Sequence, residues 1–79
     1  MNRTELKSLL DKANVSEDTY TFEGGLPYSK FCLSENYGKW YVYYSERGSK
    51  FDEKLFYSES DACEYMYKVI LSDPSTRKR

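Results

Sequence analysis

The stretch Gly38-Lys39-Trp40-Tyr41-Val42-Tyr43-Tyr44-Ser45-Glu46-Arg47-Gly48 constrains the fold more than any other part of the chain. It holds the sole Trp and three of the nine Tyr. Trp, Val and Tyr fit a pleated, half-buried surface, and Gly bounds the segment on both sides, so it predicts the central strand of a small sheet. Alternation along a strand places Trp40, Val42 and Tyr44 on one face and Tyr41 and Tyr43 on the other. Both faces are therefore aromatic. Helices can bury one of them; the other needs a reason of its own.

The flanking sequence supplies the rest of an α+β domain. Thr4 can cap a helix from about Glu5 to Ala13, in which Leu6, Leu9, Leu10 and Ala13 fall at i, i+3, i+4 and i+7, and Asn14 suits its end. Thr19 to Glu23 alternates and is rich in β-branched and aromatic residues, which predicts a first strand, with Gly24-Gly25 as a turn. Tyr28 to Glu35 predicts a second strand with Phe31 and Leu33 on one face and Cys32 on the other. After the central strand, Arg47-Gly48-Ser49 turns the chain into a fourth strand, Lys50 to Tyr57. The run Asp52-Glu53-Lys54 in its middle suits an edge strand or a bulge. Ser58 can cap a second helix whose apolar stripe is Ala62, Cys63, Met66, Val69 and Ile70, and Asp73-Pro74 ends it.

Short connections favour an antiparallel meander, and each helix has a single apolar stripe to bury. The expectation is thus one α+β domain over residues 1–74: a four-stranded antiparallel sheet with N- and C-terminal helices packed on one face, covering Phe31, Leu33, Trp40 and Val42. The opposite face would show Tyr41, Tyr43 and Phe56. Residues 75–79 are expected to form a disordered basic tail.

Length and charge narrow the class. A chain of 79 residues buries about 60% of the surface it exposes when unfolded, so its core is thin. Charged residues make up 32% and interrupt every apolar run, which excludes a membrane-spanning helix. The start of the chain lacks the apolar region of a secretory signal, so the expected location is the cytoplasm. Twelve Lys and Arg stand against thirteen Asp and Glu. Without the tail cations Arg77, Lys78 and Arg79, nine stand against thirteen, a net of −4. Nucleic-acid binding by charge is disfavoured by that balance.

Catalytic sets are missing from the sequence. With no His there is no imidazole base and no Ser-His or Cys-His pair, and Gly24-Gly25 lacks the spacing and lysine of a phosphate loop. Cys32 and Cys63 predict two buried free thiols, and two separated Cys without His hold no metal. No cofactor is expected. What remains points to binding. Tyr41 and Tyr43 are candidates for an aromatic patch, and Arg47 for a recognition charge on a turn. Glu64 is a candidate for an acidic surface and Tyr65 for an aromatic extension along the second helix. For each there is a plainer role: a face covered by loop residues or a second copy, a turn charge, a solvated acid, a core margin.

The second half also resembles small bacterial immunity proteins of polymorphic toxin systems. The residues that carry the resemblance are Lys39-Trp40-Tyr41-Val42-Tyr43-Tyr44-Ser45-Glu46-Arg47-Gly48, then Phe56-Tyr57-Ser58-Glu59-Ser60-Asp61-Ala62-Cys63-Glu64-Tyr65, and Asp73-Pro74-Ser75-Thr76-Arg77-Lys78. The resemblance implies a cytoplasmic, non-catalytic protein that neutralises one cognate toxin by binding it. Two other readings compete with it. One is a single-stranded nucleic-acid binder that stacks bases on the aromatic face. The other is a structural homodimer through that same face.

Overall fold

The computed structural model describes residues 1–78. Two helices, α1 (Arg3–Lys12) and α2 (Glu59–Leu71), flank four strands: β1 (Tyr20–Thr21), β2 (Lys30–Asn36), β3 (Lys39–Glu46) and β4 (Ser49–Phe56). The strands lie side by side in sequence order. Pairs β2–β3 and β3–β4 are antiparallel, as expected. β1 departs from the expectation: it is two residues long and runs parallel to β2, so the sheet is mixed.

The hairpins follow from their turns. Tyr37-Gly38 and Arg47-Gly48 each have two positive φ angles, 53° and 78° in the first and 52° and 77° in the second. That is the twist-matched two-residue turn of tight hairpins, in which Gly takes the second position without strain. The register next to each turn is then fixed: Phe31 faces Tyr44 and Leu33 faces Val42 across the first, and Tyr44 faces Phe51 across the second. On β4 the pairing slips between Val42 and Tyr44, so Asp52 and Glu53 share the place opposite Tyr43. Asp52 has φ 55° there, and the expected bulge lies where the charge run predicted it.

Both helices pack on one face of the sheet. Asn2, rather than Thr4, caps α1: the Glu5 N–H donates to its side-chain oxygen at 2.9 Å. Ser58 caps α2 by accepting from the Asp61 N–H at 3.1 Å. The core joins Leu6 and Leu10 of α1, Ala62, Cys63, Met66 and Ile70 of α2, and Leu33 and Val42 of the sheet. Each fully buried Leu, Ile or Met contributes about 1.5–3 kcal/mol relative to exposure. Leu9, Val69 and Trp40, expected in the core, are only half-buried. Trp40 is shielded by the Arg3 guanidinium, 5.0 Å from the ring centre, and Arg3 in turn meets Glu59 at 3.1 Å.

Residues 75–78 depart from the expected disordered tail. Residues 74–76 form a turn of 3-10 helix, and Arg77 bridges to Val15. Thr76 is buried, and its hydroxyl donates to Ile70 O at 3.0 Å. The Arg77 guanidinium donates to Ile70 O and Leu71 O at 3.4 and 2.9 Å. It thus fills the orphan carbonyls at the end of α2 with a charge that suits the helix dipole. The Lys78 N–H donates to Asn14 O at 2.8 Å. Arg79 lies outside the described residues.

Candidate functional site

The face opposite the helices decides which expected binding residues are available. Eight residues, 22–29, join β1 to β2. Because β1 and β2 are parallel, this segment must return along the sheet, and it does so as a strap across the face that the helices leave free. The Tyr43 hydroxyl donates to Gly25 O at 2.6 Å, and the Ser45 hydroxyl donates to Pro27 O at 2.7 Å. Gly24, at φ 71°, sits so close that a Cβ there would lie 2.9 Å from Ser34 Oγ. Only glycine fits both that backbone angle and that approach.

The strap corrects the expectation of an open aromatic face. Tyr43 is 2% exposed, and Cys32 and Ser45 are fully buried beside it. Burial pushes the Tyr43 phenol up to about 12, with neighbouring Cys32 and Glu53 acting in the same direction. Phe56 is not on this face at all: it lies opposite Trp40 and packs against Tyr65 with ring centres 5.3 Å apart. Both thiols are free. Cys63, under the helices, is pushed up to about 11, first by burial and then by Glu59. Cys32, under the strap, is also raised by burial.

The five expected site residues are therefore not brought together. Tyr41 is half-buried on the strap side, beyond the strap. Tyr43 is beneath it. Arg47 is exposed in the β3–β4 turn, at the far end of the sheet from Tyr41. Glu64 is exposed on α2, and Tyr65 lies on the helix side.

What the strap leaves uncovered is a surface at the β2–β3 end of the sheet. Leu55 stands directly opposite Tyr41 and is 43% exposed. Tyr37, in the adjoining turn, is almost fully exposed, and Tyr57, just past β4, is largely so. A shallow recess of about 240 Å³ beside Tyr41 is edged by Ser34, Asn36, Lys50 and Glu53. Lys50 and Glu53 pair there at 3.3 Å. Three Tyr and a Leu rimmed by small polar groups and one ion pair have the make-up of an interface core with its rim. Sequence reasoning found Tyr41 but missed Tyr37, Leu55 and Tyr57. The Arg47-Gly48 turn alone would set Leu55 against Trp40; the one-residue bulge at Asp52 moves it opposite Tyr41, so the turn and the bulge are both needed to find it.

A second recess, of about 170 Å³, opens on the helix side between α2 and the β4 edge. Phe31, Val42, Tyr44, Tyr65 and Val69 line it, with Asp52 and Lys54 at its strand side. Phe31 and Tyr44 meet edge to face at 5.0 Å within it. A third, between α1 and Phe22, holds Arg3 and Lys7. Both cations are engaged, Arg3 with Glu59 and Lys7 with Asp11 and Glu17 at 3.5 and 2.9 Å.

Among the described residues no three His, Cys, Asp or Glu side chains gather as a metal site, and no helix is long and apolar enough to cross a membrane. No family model matches the chain, and neither the curated proteins nor the solved structures yield a match. The resemblance to immunity proteins thus rests on the sequence motifs alone.

Proposed function

We propose that the chain is a non-catalytic protein-binding module, a cytoplasmic immunity protein that neutralises a cognate bacterial toxin by occupying part of its surface. One observation supports the binding reading above the rest: Tyr41 and Leu55 form a cross-strand apolar pair on a part of the strap-side face that the strap leaves bare. Tyr37 and Tyr57 add exposed aromatic area at the same end. Tyr supplies large, rigid contact area at low entropic cost, which is why it is enriched at interface hot spots. The strap weakens both rivals. It occupies the face on which bases would stack and on which a second copy would have packed.

The immunity reading is tested by co-purification with a toxin domain encoded beside the gene. Tyr41→Ala and Leu55→Ala should each lower affinity for that domain, by about 2 kcal/mol at a hot spot. That is about thirtyfold in Kd. Arg47→Ala, at the other end of the sheet, should leave affinity unchanged. Melting temperatures should hold close to the parent, since these side chains lie outside the main core. Equal affinity for all three variants would overturn the choice of surface, and a neighbouring toxin domain that does not bind would overturn the immunity reading.

A further inference from the structure

We propose that the helix-side recess between α2 and β4 binds a free aromatic α-amino acid, ring inward, with its ammonium on Asp52 and its carboxylate on Lys54. The recess lies on the opposite face of the sheet from Tyr41 and Leu55, so the site does not depend on a toxin.

The recess exists because α2 does not cover the full width of the sheet. Its buried stripe, Ala62, Cys63, Met66 and Ile70, belongs to the core with Leu33 and Val42. Tyr65 and Val69, one helical turn apart, lie beside that stripe and are half-buried. Across from them β4 offers charge instead of apolar bulk, so helix and strand do not close on one another. What remains between them is walled by rings. Phe31 and Tyr44 meet edge to face at 5.0 Å, Tyr65 adds a third ring, and the buried Val42 lies at the base.

The bulge in β4 completes the site. Phe51 stands opposite Tyr44 on the helix side, so strict alternation would send Asp52 to the strap side. The extra residue of the bulge, with Asp52 at φ 55°, brings Asp52 into the wall of the recess instead. Lys54, opposite Val42, lines the same recess. One anion and one cation therefore share its strand side. Neither forms an ion pair among the described residues, and Lys54 lies over none of the rings.

These properties select the ligand. A singly charged molecule would answer one of the two charges and set itself against the other, whereas a zwitterion answers both. The aromatic walls call for an apolar body, and rings pack well against rings in tilted or edge-on arrangements. Size sets which body: a cavity of about 150 Å³ holds benzene, so a recess of about 170 Å³ matches a phenyl ring better than an indole. Phenylalanine meets all three demands.

Amide chemical shifts of the full chain, followed by NMR as phenylalanine is added, should saturate with a Kd on the order of 1 mM. The largest shifts should fall at Tyr44, Asp52, Lys54 and Val69. Phenethylamine lacks the carboxylate and phenylpropionate lacks the ammonium. Each should bind roughly 2–5-fold more weakly, the scale of one exposed ion pair. Asp52→Asn keeps a residue that tolerates the left-handed backbone, and it should abolish the advantage of phenylalanine over phenylpropionate alone. Lys54→Gln should abolish the advantage over phenethylamine alone. Val69→Trp should fill the recess and remove the shifts. The proposal is overturned by shifts that do not saturate by about 20 mM, by saturation that maps elsewhere, or by equal affinity for the three ligands.

Discussion

The two faces of the sheet are covered by different physics. On one, α1 and α2 lay Leu6, Leu10, Met66 and Ile70 against Leu33 and Val42, and the contact is apolar throughout. On the other, eight residues of irregular chain cover Cys32, Tyr43 and Ser45. That cover is pinned at its carbonyls by two side-chain hydroxyls. A helix brings a continuous stripe of side chains to its partner, whereas the strap brings mostly backbone. Buried area holds the first face. Two hydrogen bonds and one close glycine hold much of the second, and each such bond is worth only about 0.5–1.5 kcal/mol net. The helix side should therefore set global stability and the strap side should yield first.

That contrast can be broken most forcefully from the helix side. Leu10→Ala removes a fully buried side chain and should cost about 2–5 kcal/mol, a large share of the stability of so small a domain. Denaturant midpoints measure it, and a loss below about 1 kcal/mol would show that the helices are not the dominant cover. Tyr43→Phe is the matching test of the strap. It deletes the bond to Gly25 O but keeps the ring. Gly25 is exposed, so water can take its carbonyl, and the loss should sit near the low end, about 0.5 kcal/mol. Proteolysis within residues 22–29 should quicken more than the midpoint falls. A midpoint loss as large as that of Leu10→Ala would mean that the two covers are equivalent.

The smallest effect appears only in alkaline solution, and it touches both faces. Cys63 is raised from 9 to about 11 and Tyr43 from 10 to about 12, each chiefly by burial. The folded chain then keeps protons that the unfolded chain has released. Stability from these groups is complete below pH 9 and falls as pH rises, first through the Cys63 window and then through that of Tyr43. Thermal midpoints between pH 8 and pH 11 should decline, and Cys63→Ala should make that decline shallower, leaving the part due to Cys32 and Tyr43. A flat profile would show that neither group is shielded from water.

The same contrast explains what could be read from the sequence. The helix-covered face was legible because apolar stripes recur at helical spacing and match the alternation of β2 and β3. The strap was not, because a loop that covers a sheet leaves no period. Gly24-Gly25 reads as a turn between strands; in the fold Gly24 instead serves the close pass over Ser34, and Gly25 offers its carbonyl to Tyr43. Loop length gave no warning either: strands that end at Glu23 and resume at Tyr28 leave a connection of hairpin length, and the eight-residue span emerges only because β1 stops at Thr21 and β2 starts at Lys30. Tyr43 looked like Tyr41 in sequence, and only the strap's path separates a buried tyrosine from a half-exposed one. The docked end was hidden for a related reason. Arg77 belongs by composition to a basic tail, yet its guanidinium closes α2, and carbonyls at a helix end are invisible in a charge count.

The two cysteines turn this difference into a clock. Cys32 sits beneath the strap and Cys63 beneath the helices, and both thiols are raised, so neither forms much thiolate while covered. Modification by a thiol reagent must wait for an opening, and each thiol waits for a different one. Cys32 becomes reactive whenever the strap lifts, without the core coming apart. Cys63 becomes reactive only when the helices part from the sheet. The ratio of the two labelling rates in the native protein therefore reads the free energy of local strap opening against that of global unfolding, from residues the chain already carries.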